Sequence, residues 1–143
     1  MRRIRRFASL SLGDQARVAI ATALLVTLPT LITVGSFSRV RVSLLWVAGG
    51  TEDLVSEAPR PERIAQLVKI CDRRLPGERT CLVRSMTVET LLRVYGYSAT
   101  HRIGVDKDDR AELEAHSWVE YEGEVLIGEL DDLSRFTPFP DID

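Results

Sequence analysis

The stretch RTCLVRSMTVETLLRVYGYSATHRIGV, residues 79–105, changes its hydrophobic period at Gly96. Before this glycine, apolar residues recur at helical spacing along one stripe that includes Leu82, Met86 and Leu92. Thr80 is a suitable N-cap and Gly96 a suitable C′ residue, so we predict a helix over residues 81–95. After the glycine the period is two, which predicts a strand over residues 98–105.

Similar patterns continue on both sides of this stretch. Upstream, PERIAQLVKICDRRL (residues 61–75) predicts an amphipathic helix whose first turn begins with Pro61. Downstream, AHSWVEY (115–121) and EVLIGEL (124–130) predict a hairpin that turns at Glu122 and Gly123. Helices therefore precede a small antiparallel sheet, and the sequence predicts an α+β fold.

The N-terminal part of the chain, from about residue 12 to 49, is also helical in pattern. An acidic, proline-containing linker over residues 52–61 separates it from the rest of the chain. We therefore predict an N-terminal helical segment, 1–50, and a core, 60–143, packed together as one domain.

An uncharged stretch, VAIATALLVTLPTLITVGSF (residues 18–37), comes after the basic start MRRIRRF. This order leaves three interpretations open: helices folded onto the core, a membrane-associated segment, or a signal sequence. Pro29 and the surrounding threonines make the hydrophobicity moderate, which favours helices packed on the core. We expect a cytoplasmic protein and leave membrane association through these helices open.

Composition excludes several classes of protein. The net charge of −2 gives no overall basic field for binding nucleic acid. Two cysteines and two histidines, with no paired spacing, are too few for a disulfide scaffold or a structural zinc site. We expect no metal or organic cofactor and no nucleic-acid partner.

The two cysteines differ in position. Cys71 lies on the apolar face of its predicted helix, where packing is the simplest role, although a disulfide with Cys81 is open in an oxidising compartment. Cys81 is predicted to be the first residue of its helix, where free N–H groups and the helix dipole lower a thiol pKa. The position alone leaves packing and reactivity of Cys81 equally open.

A base for Cys81 is available on the predicted hairpin. With Glu122 and Gly123 in the turn, the register puts His116 opposite Glu129, and Asp131 lies a diagonal step further along the same face. A carboxylate on one imidazole nitrogen leaves the other free to accept a thiol proton. The alternative is that these acids form only a solvated acidic run.

Two further residues of the predicted strands, His101 and Trp118, are not expected to be catalytic. His101 alternates with apolar residues, so we expect it at the surface of the sheet. Trp118 shares the face of His116, and we expect it to pack beside the imidazole ring or to line a substrate groove.

Taken together, TCLVRSMTVETLLRVYGYSATHRIGV, AHSWVEYEGEVLIGEL and RFTPF resemble the transglutaminase-like cysteine peptidase of lasso peptide biosynthesis. The resemblance covers about residues 60–140. It implies a papain-like arrangement with Cys81 as nucleophile and His116 as general base. The family pattern expects an aspartate as third member near the end of the second hairpin strand. Glu129 occupies about that place, and Asp131 is the next choice.

The resemblance also implies partners. The substrate would be a ribosomally made precursor whose leader peptide is removed, and a separate leader-binding recognition protein would present it, since this chain has no room for such a domain. The product would pass to a macrolactam cyclase. Two alternatives remain: acyl transfer to an amine by a transglutaminase-like enzyme, and a noncatalytic adaptor on the same fold.

Overall fold

The computed structural model describes residues 5, 9, 11–51, 58–107, 113–129 and 133–139. Within these residues, four longer helices come first: α1 (Leu12–Val34), α2 (Phe37–Gly49), α3 (Pro61–Arg74) and α4 (Cys81–Val94). Four strands come next: β1 (Thr100–Lys107), β2 (Leu113–Tyr121), β3 (Glu124–Ile127) and β4 (Thr137–Pro138). They form one antiparallel sheet in the order β3-β2-β1-β4. The predicted α+β fold, helices first and sheet second, is confirmed.

Helix α4 is the centre of the molecule. Helices α1, α2 and α3 and strands β1, β2 and β3 all pack against it. From Val83 to Leu92 every residue except Arg84 is buried. The prediction of a single apolar stripe is therefore wrong for this helix, because neighbours cover it on all sides and its threonines are buried as well. Thr87 and Thr90 satisfy their hydroxyls by donating to carbonyls one turn earlier.

The end of α4 matches the prediction from Gly96. This glycine has φ of 83°, the left-handed conformation that a side chain disfavours. Its N–H donates to the Arg93 carbonyl, and the Tyr97 N–H donates to the Leu92 carbonyl, both at 3.0 Å. This pair of bonds is a Schellman motif, which stops the helix and turns the chain into β1.

The β2–β3 hairpin also turns where the sequence predicts. Glu122 and Gly123 both have positive φ, 50° and 81°, as a two-residue type I′ turn requires. Tyr121 then pairs with Glu124 as expected. The glycine is needed here because the second turn position must be left-handed.

Further from the turn, the ladder contains a bulge. Leu126 is passed over, so that Val119 pairs with Ile127. Strand β3 ends at Ile127, before Glu129 is reached. The predicted register, which put His116 directly opposite Glu129, is therefore wrong by one residue, because the extra residue in β3 cannot be read from the alternation of apolar residues.

Helices α1 and α2 cover one side of the core. The inner face of α1 contributes Ala21, Leu25 and Leu28 to the main hydrophobic cluster. Its outer face is apolar too, and Val26 and Val34 are exposed. By length and composition α1 is able to cross a membrane, but core helices and signal sequences meet the same criterion. Membrane association and a signal sequence therefore stay predictions.

Candidate active site

Cys81 and His116, the two predicted reactive residues, line one open cleft of about 400 Å³. The cleft lies between α3, the start of α4, and the part of the β2–β3 hairpin furthest from its turn. Its lining consists of Lys69, Asp72, Arg73, Cys81, Arg84, His116, Ile127, Gly128 and Glu129. Two residues that are 35 positions apart in the sequence are thus brought to one solvent-accessible surface.

Cys81 is the first residue of α4, as predicted. The Thr80 hydroxyl caps the helix by accepting a hydrogen bond from the Val83 N–H at 3.3 Å. Helix geometry leaves the N–H groups of Cys81 and Leu82 outside the intrahelical ladder. Cys81 is a half-buried free thiol, so it combines access to the cleft with the positive end of the helix dipole.

An arginine clamp fixes the chain just before Cys81. The Arg79 guanidinium forms an ion pair with Asp72 on α3 through Nε. Its Nη2 also donates to the carbonyls of Asp72, Leu75 and Gly77 at 2.9–3.2 Å. The turn between α3 and α4 is therefore held by one side chain, which orients the first turn of α4 and the thiol that it carries.

His116 is held by a backbone carbonyl. Its Nε2 lies 2.7 Å from the Gly128 carbonyl oxygen. A carbonyl only accepts hydrogen bonds, so Nε2 must carry the hydrogen. In the neutral ring, Nδ1 is then unprotonated and free to act as a base.

Only glycine fits at position 128, where the backbone presents its carbonyl to His116. Its φ is 87°, and a Cβ at this position would lie 2.6 Å from the Ser117 carbonyl oxygen and 2.8 Å from the Trp118 Cβ. Contacts this short with backbone atoms and with the Cβ of Trp118 cannot be relieved by rotating a flexible side chain. Any larger residue must therefore move the segment that presents the carbonyl to His116.

Two aromatic side chains pack on the His116 ring. Trp118 stacks on it with ring centroids 5.9 Å apart and planes inclined by 18°. Phe136, just before β4, approaches it with centroids 5.4 Å apart. Both aromatic residues are buried, so they restrict the rotation of the imidazole. Of the two roles predicted for Trp118, packing beside the ring is the one observed.

Of the two candidate carboxylates, the structure describes only that of Glu129. Glu129 lines the cleft, but its carboxylate is half exposed and pairs with Lys69 of α3 at 2.7 Å. A carboxylate was predicted on one nitrogen of His116, but Nε2 donates to the Gly128 carbonyl. Asp131 lies outside the described residues.

Cys71 fits its predicted structural role. It is a free thiol in the main hydrophobic cluster, on the face of α3 that packs against α1 and α4. Burial raises the pKa of this thiol and makes it unreactive at neutral pH. The structure contains no disulfide between Cys71 and Cys81.

His101 is not where the sequence suggested. Instead of lying at the sheet surface, it is buried, with Nδ1 3.0 Å from Glu89 Oε2 and Nε2 2.5 Å from Ser117 Oγ. Arg41 of α2 holds the same carboxylate through Nε at 3.1 Å and Nη2 at 2.5 Å. The prediction failed because α2 and α4 cover this face of β1, which the strand's own alternation does not reveal.

Burial and bonding act against each other on the Glu89 carboxyl. Burial alone raises its pKa, but hydrogen bonds and charge attraction from His101 and Arg41 outweigh this effect, and the pKa lies below its usual value. The carboxylate is therefore ionised and accepts the Nδ1–H of His101. The other ring nitrogen of His101, Nε2, has the Ser117 hydroxyl as its partner.

Sequence reasoning missed Gly128, Arg79 and Phe136 as parts of the site. Gly128 had a signal, since a glycine directly after an apolar strand often marks a bulge or a close backbone approach. Arg79 and Phe136 had none, because an arginine in a turn and a phenylalanine near prolines have many uses. Their roles depend on contacts with Asp72 and His116, which are distant in sequence.

The described residues contain no group of three or more His, Cys, Asp or Glu side chains arranged to hold a metal ion. The cleft instead combines one thiol, one imidazole and several charged side chains. These groups are suited to nucleophilic and acid–base chemistry on a peptide or amide.

Comparison with protein families gives a match to the transglutaminase-like superfamily over residues 24–141, which is most of the chain. Comparison with curated proteins and with solved structures gives no match. Members of this superfamily are generally cysteine-dependent enzymes. The helices, the four-stranded antiparallel sheet and the family match agree, and the chain belongs to the transglutaminase-like superfamily.

Proposed function

We propose that this chain is a cysteine endopeptidase that removes the leader peptide from a ribosomally made precursor during lasso peptide maturation. The sequence motifs around Cys81 and His116 support this function by their resemblance to such peptidases. We further propose that a leader-binding protein presents the precursor and that a macrolactam cyclase takes the product.

One observation carries the proposal. A thiol at the first position of a helix lines the same open cleft as an imidazole whose Nε2 is held by a carbonyl, which leaves Nδ1 as the nitrogen for acid–base chemistry. Superfamily membership supports the same chemistry, since it favours a cysteine nucleophile over Ser117, the buried serine beside His101. An extended peptide needs an open surface of this kind to reach the thiol.

In the first half of the reaction, His116 Nδ1 takes the proton of the Cys81 thiol. The thiolate attacks the carbonyl carbon of the scissile peptide bond and forms a tetrahedral intermediate. The N–H groups at the start of α4, including that of Cys81, donate to the oxyanion. The Gly128 carbonyl keeps the imidazole oriented and stabilises the imidazolium through the Nε2–H hydrogen bond.

In the second half, His116 Nδ1–H protonates the leaving amine, which departs as the new N-terminus of the product. The leader remains attached to Cys81 as a thioester. His116 then deprotonates a water molecule, which attacks the thioester carbonyl, and the Cys81 thiolate leaves and regains its proton.

The test is leader removal from a precursor peptide in the presence of its leader-binding protein, followed by mass spectrometry. The wild-type chain is expected to give two fragments whose masses sum to that of the precursor plus one water. Cys81→Ala and His116→Ala are expected to give none. Undiminished cleavage by either variant would contradict the proposal.

Acyl transfer to an amine is the second candidate, and membership of the transglutaminase-like superfamily favours it. The same thioester would be attacked by a primary amine instead of water. Adding an alkylamine to the cleavage reaction distinguishes the two functions, because transfer gives an acyl–amine adduct whereas hydrolysis gives a free carboxylate.

A further inference from the structure

The charges around Cys81 are not balanced. Three cationic side chains, Lys69, Arg73 and Arg84, line the cleft together with two acidic ones, Asp72 and Glu129. Three of the five come from α3 and one from α4, so the charges occupy the helical wall of the cleft. The sheet side adds only Glu129.

Both acids already have partners. Asp72 pairs with Arg79, which is held in place by the carbonyls of the turn. Glu129 pairs with Lys69 at 2.7 Å. Neither acid is therefore available to neutralise the remaining two cations in full.

Arg73 and Arg84 are the cations left over. Arg84 reaches Asp72 only at 3.8 Å, and 41% of its side chain is exposed. Arg73 is exposed and makes no hydrogen bond or ion pair within the part of the chain that the structure describes. Two guanidinium groups thus point their unused donors toward solvent or a ligand.

Both arginines are close to the predicted nucleophile. Arg84 follows Cys81 by three positions on α4, so the two side chains are neighbours on the helix surface, with Cβ atoms about 5–6 Å apart. A second cavity of about 360 Å³ shares Asp72, Arg73 and Arg84 with the cleft. The two arginines therefore stand where these cavities meet, and the second cavity adds one acid, the exposed Glu78.

We propose that Arg73 and Arg84 form a subsite that binds an acidic side chain of the peptide substrate close to the scissile bond. The proposal rests on the proposed peptidase function and adds its substrate class, peptides with Asp or Glu within a few residues of the cleavage point. A guanidinium is the group best suited to this role, since its forked donors match the geometry of a carboxylate.

Internally quenched peptides that carry Glu or Gln at one position near the cleaved bond test this subsite. For the wild-type chain at low salt, the kcat/KM for Glu peptides is expected to exceed that for Gln peptides by about fivefold, as for a partly exposed ion pair. Arg73→Gln and Arg84→Gln are expected to reduce this ratio toward one. Arg84→Glu is expected to reverse the preference and favour a Lys peptide.

Arg74→Gln is the matched control. Arg74 is an exposed arginine next to Arg73 on α3, but it lines neither cavity. Its substitution is expected to leave the Glu-to-Gln ratio unchanged. A loss of preference as large as that of Arg73→Gln would overturn the subsite, because it would indicate only a general electrostatic field. Salt near 1 M should abolish the wild-type preference, since the Debye length falls to about 3 Å.

A binding measurement separates failure of the subsite from failure of the proposed function. Cys81→Ala is titrated with labelled Glu and Gln peptides and followed by fluorescence anisotropy, which needs no cleavage. Tighter binding of Glu peptides that depends on Arg73 and Arg84 supports the subsite even if the wild-type chain cleaves nothing, in which case the peptidase proposal alone fails. Equal binding and equal cleavage of Glu and Gln peptides overturn the subsite.

Discussion

The two histidines of this chain lie in opposite environments. His101 has the partners of a hydrolase triad, a carboxylate on Nδ1 and a serine hydroxyl on Nε2, but it is buried together with both of them. His116 has only a backbone carbonyl on Nε2, yet it lines an open cleft with Cys81. The comparison teaches that access to substrate, more than the order of hydrogen bonds, indicates a reactive site.

The buried cluster has a structural explanation. Arg41, Glu89, His101 and Ser117 belong to α2, α4, β1 and β2, so the chain of hydrogen bonds ties the N-terminal helices to the sheet. Buried polar groups of this kind must all be satisfied, since one unpaired charge costs several kcal/mol. Cys81 and His116 at the cleft have the opposite requirement, because the proposed reaction would use a thiol and an imidazole nitrogen that have no partner among the residues that the structure describes.

Alanine substitution of Cys81 in the cleft and of Ser117 beside His101 gives the largest expected difference. Cys81→Ala is expected to lower leader-peptide cleavage by more than about 10³-fold, as for loss of a catalytic nucleophile. Ser117→Ala is expected to keep cleavage within a few-fold and to lower the free energy of unfolding by about 1–3 kcal/mol, because the buried Nε2 of His101 loses its partner. Cleavage assays and urea denaturation of both variants measure these effects. Loss of cleavage in Ser117→Ala would reverse the comparison.

Neutralising the buried carboxylate tests the structural role of the second cluster. Glu89→Gln leaves Arg41 buried without its counter-charge and is expected to lower the free energy of unfolding by about 3 kcal/mol. The effect should depend on pH. Because the folded-state pKa of Glu89 is lowered, its stabilisation is fully present above the usual glutamate pKa of about 4.3 and is lost as pH falls through the folded-state value.

Urea denaturation of the wild-type chain and Glu89→Gln, from pH 7 down to acid, measures this difference. The two stabilities are expected to converge below about pH 4.3. A difference that stays constant down to the lowest pH would mean that the Glu89 charge does not stabilise the fold.

Displacing the carbonyl that accepts from His116 tests the cleft site without changing any of its side chains. Gly128→Ala must displace the segment whose carbonyl holds His116, because the new Cβ would lie 2.6 Å from the Ser117 carbonyl oxygen. A displacement of about 1 Å is expected to lower kcat by about 10²-fold. Gly123→Ala is the control, since it imposes the same positive φ with no atom within 4 Å of the Cβ. Equal kcat in both variants would show that the carbonyl does not orient His116.

The smallest expected effect tests whether a carboxylate, and not the Gly128 carbonyl, orients His116. Glu129→Gln is expected to change kcat by less than about threefold, because an exposed ion pair with Lys69 contributes under about 1 kcal/mol. Asp131→Asn, measured in parallel, tests the other carboxylate that the sequence suggested. A drop of about 10²-fold or more in either variant would identify that carboxylate, instead of Gly128, as the partner of His116.

Local sequence patterns predicted the structure correctly where the conformation depends on adjacent residues. Thr80 and Gly96 mark the ends of α4, and Glu122 and Gly123 form the predicted turn, because capping and turn geometry depend on a few adjacent residues. Predictions failed where distant segments decide. The burial of His101 results from α2 and α4, which cover it and are distant in sequence, and the bulge at Leu126 shows only in the pairing of β3 with β2.

The sequence by itself determined the order of helices and strands, the helix-start position of Cys81 and the resemblance that pairs it with His116. These depend on side-chain periodicity and on short motifs, which are local or directly visible in the residues. The tertiary structure alone decided that Cys81 and His116 share a cleft, that a Gly128 carbonyl holds the imidazole, and that the other histidine is buried with Glu89. The physical reason is that accessibility and hydrogen-bond partners arise only when α4 and the sheet pack against each other.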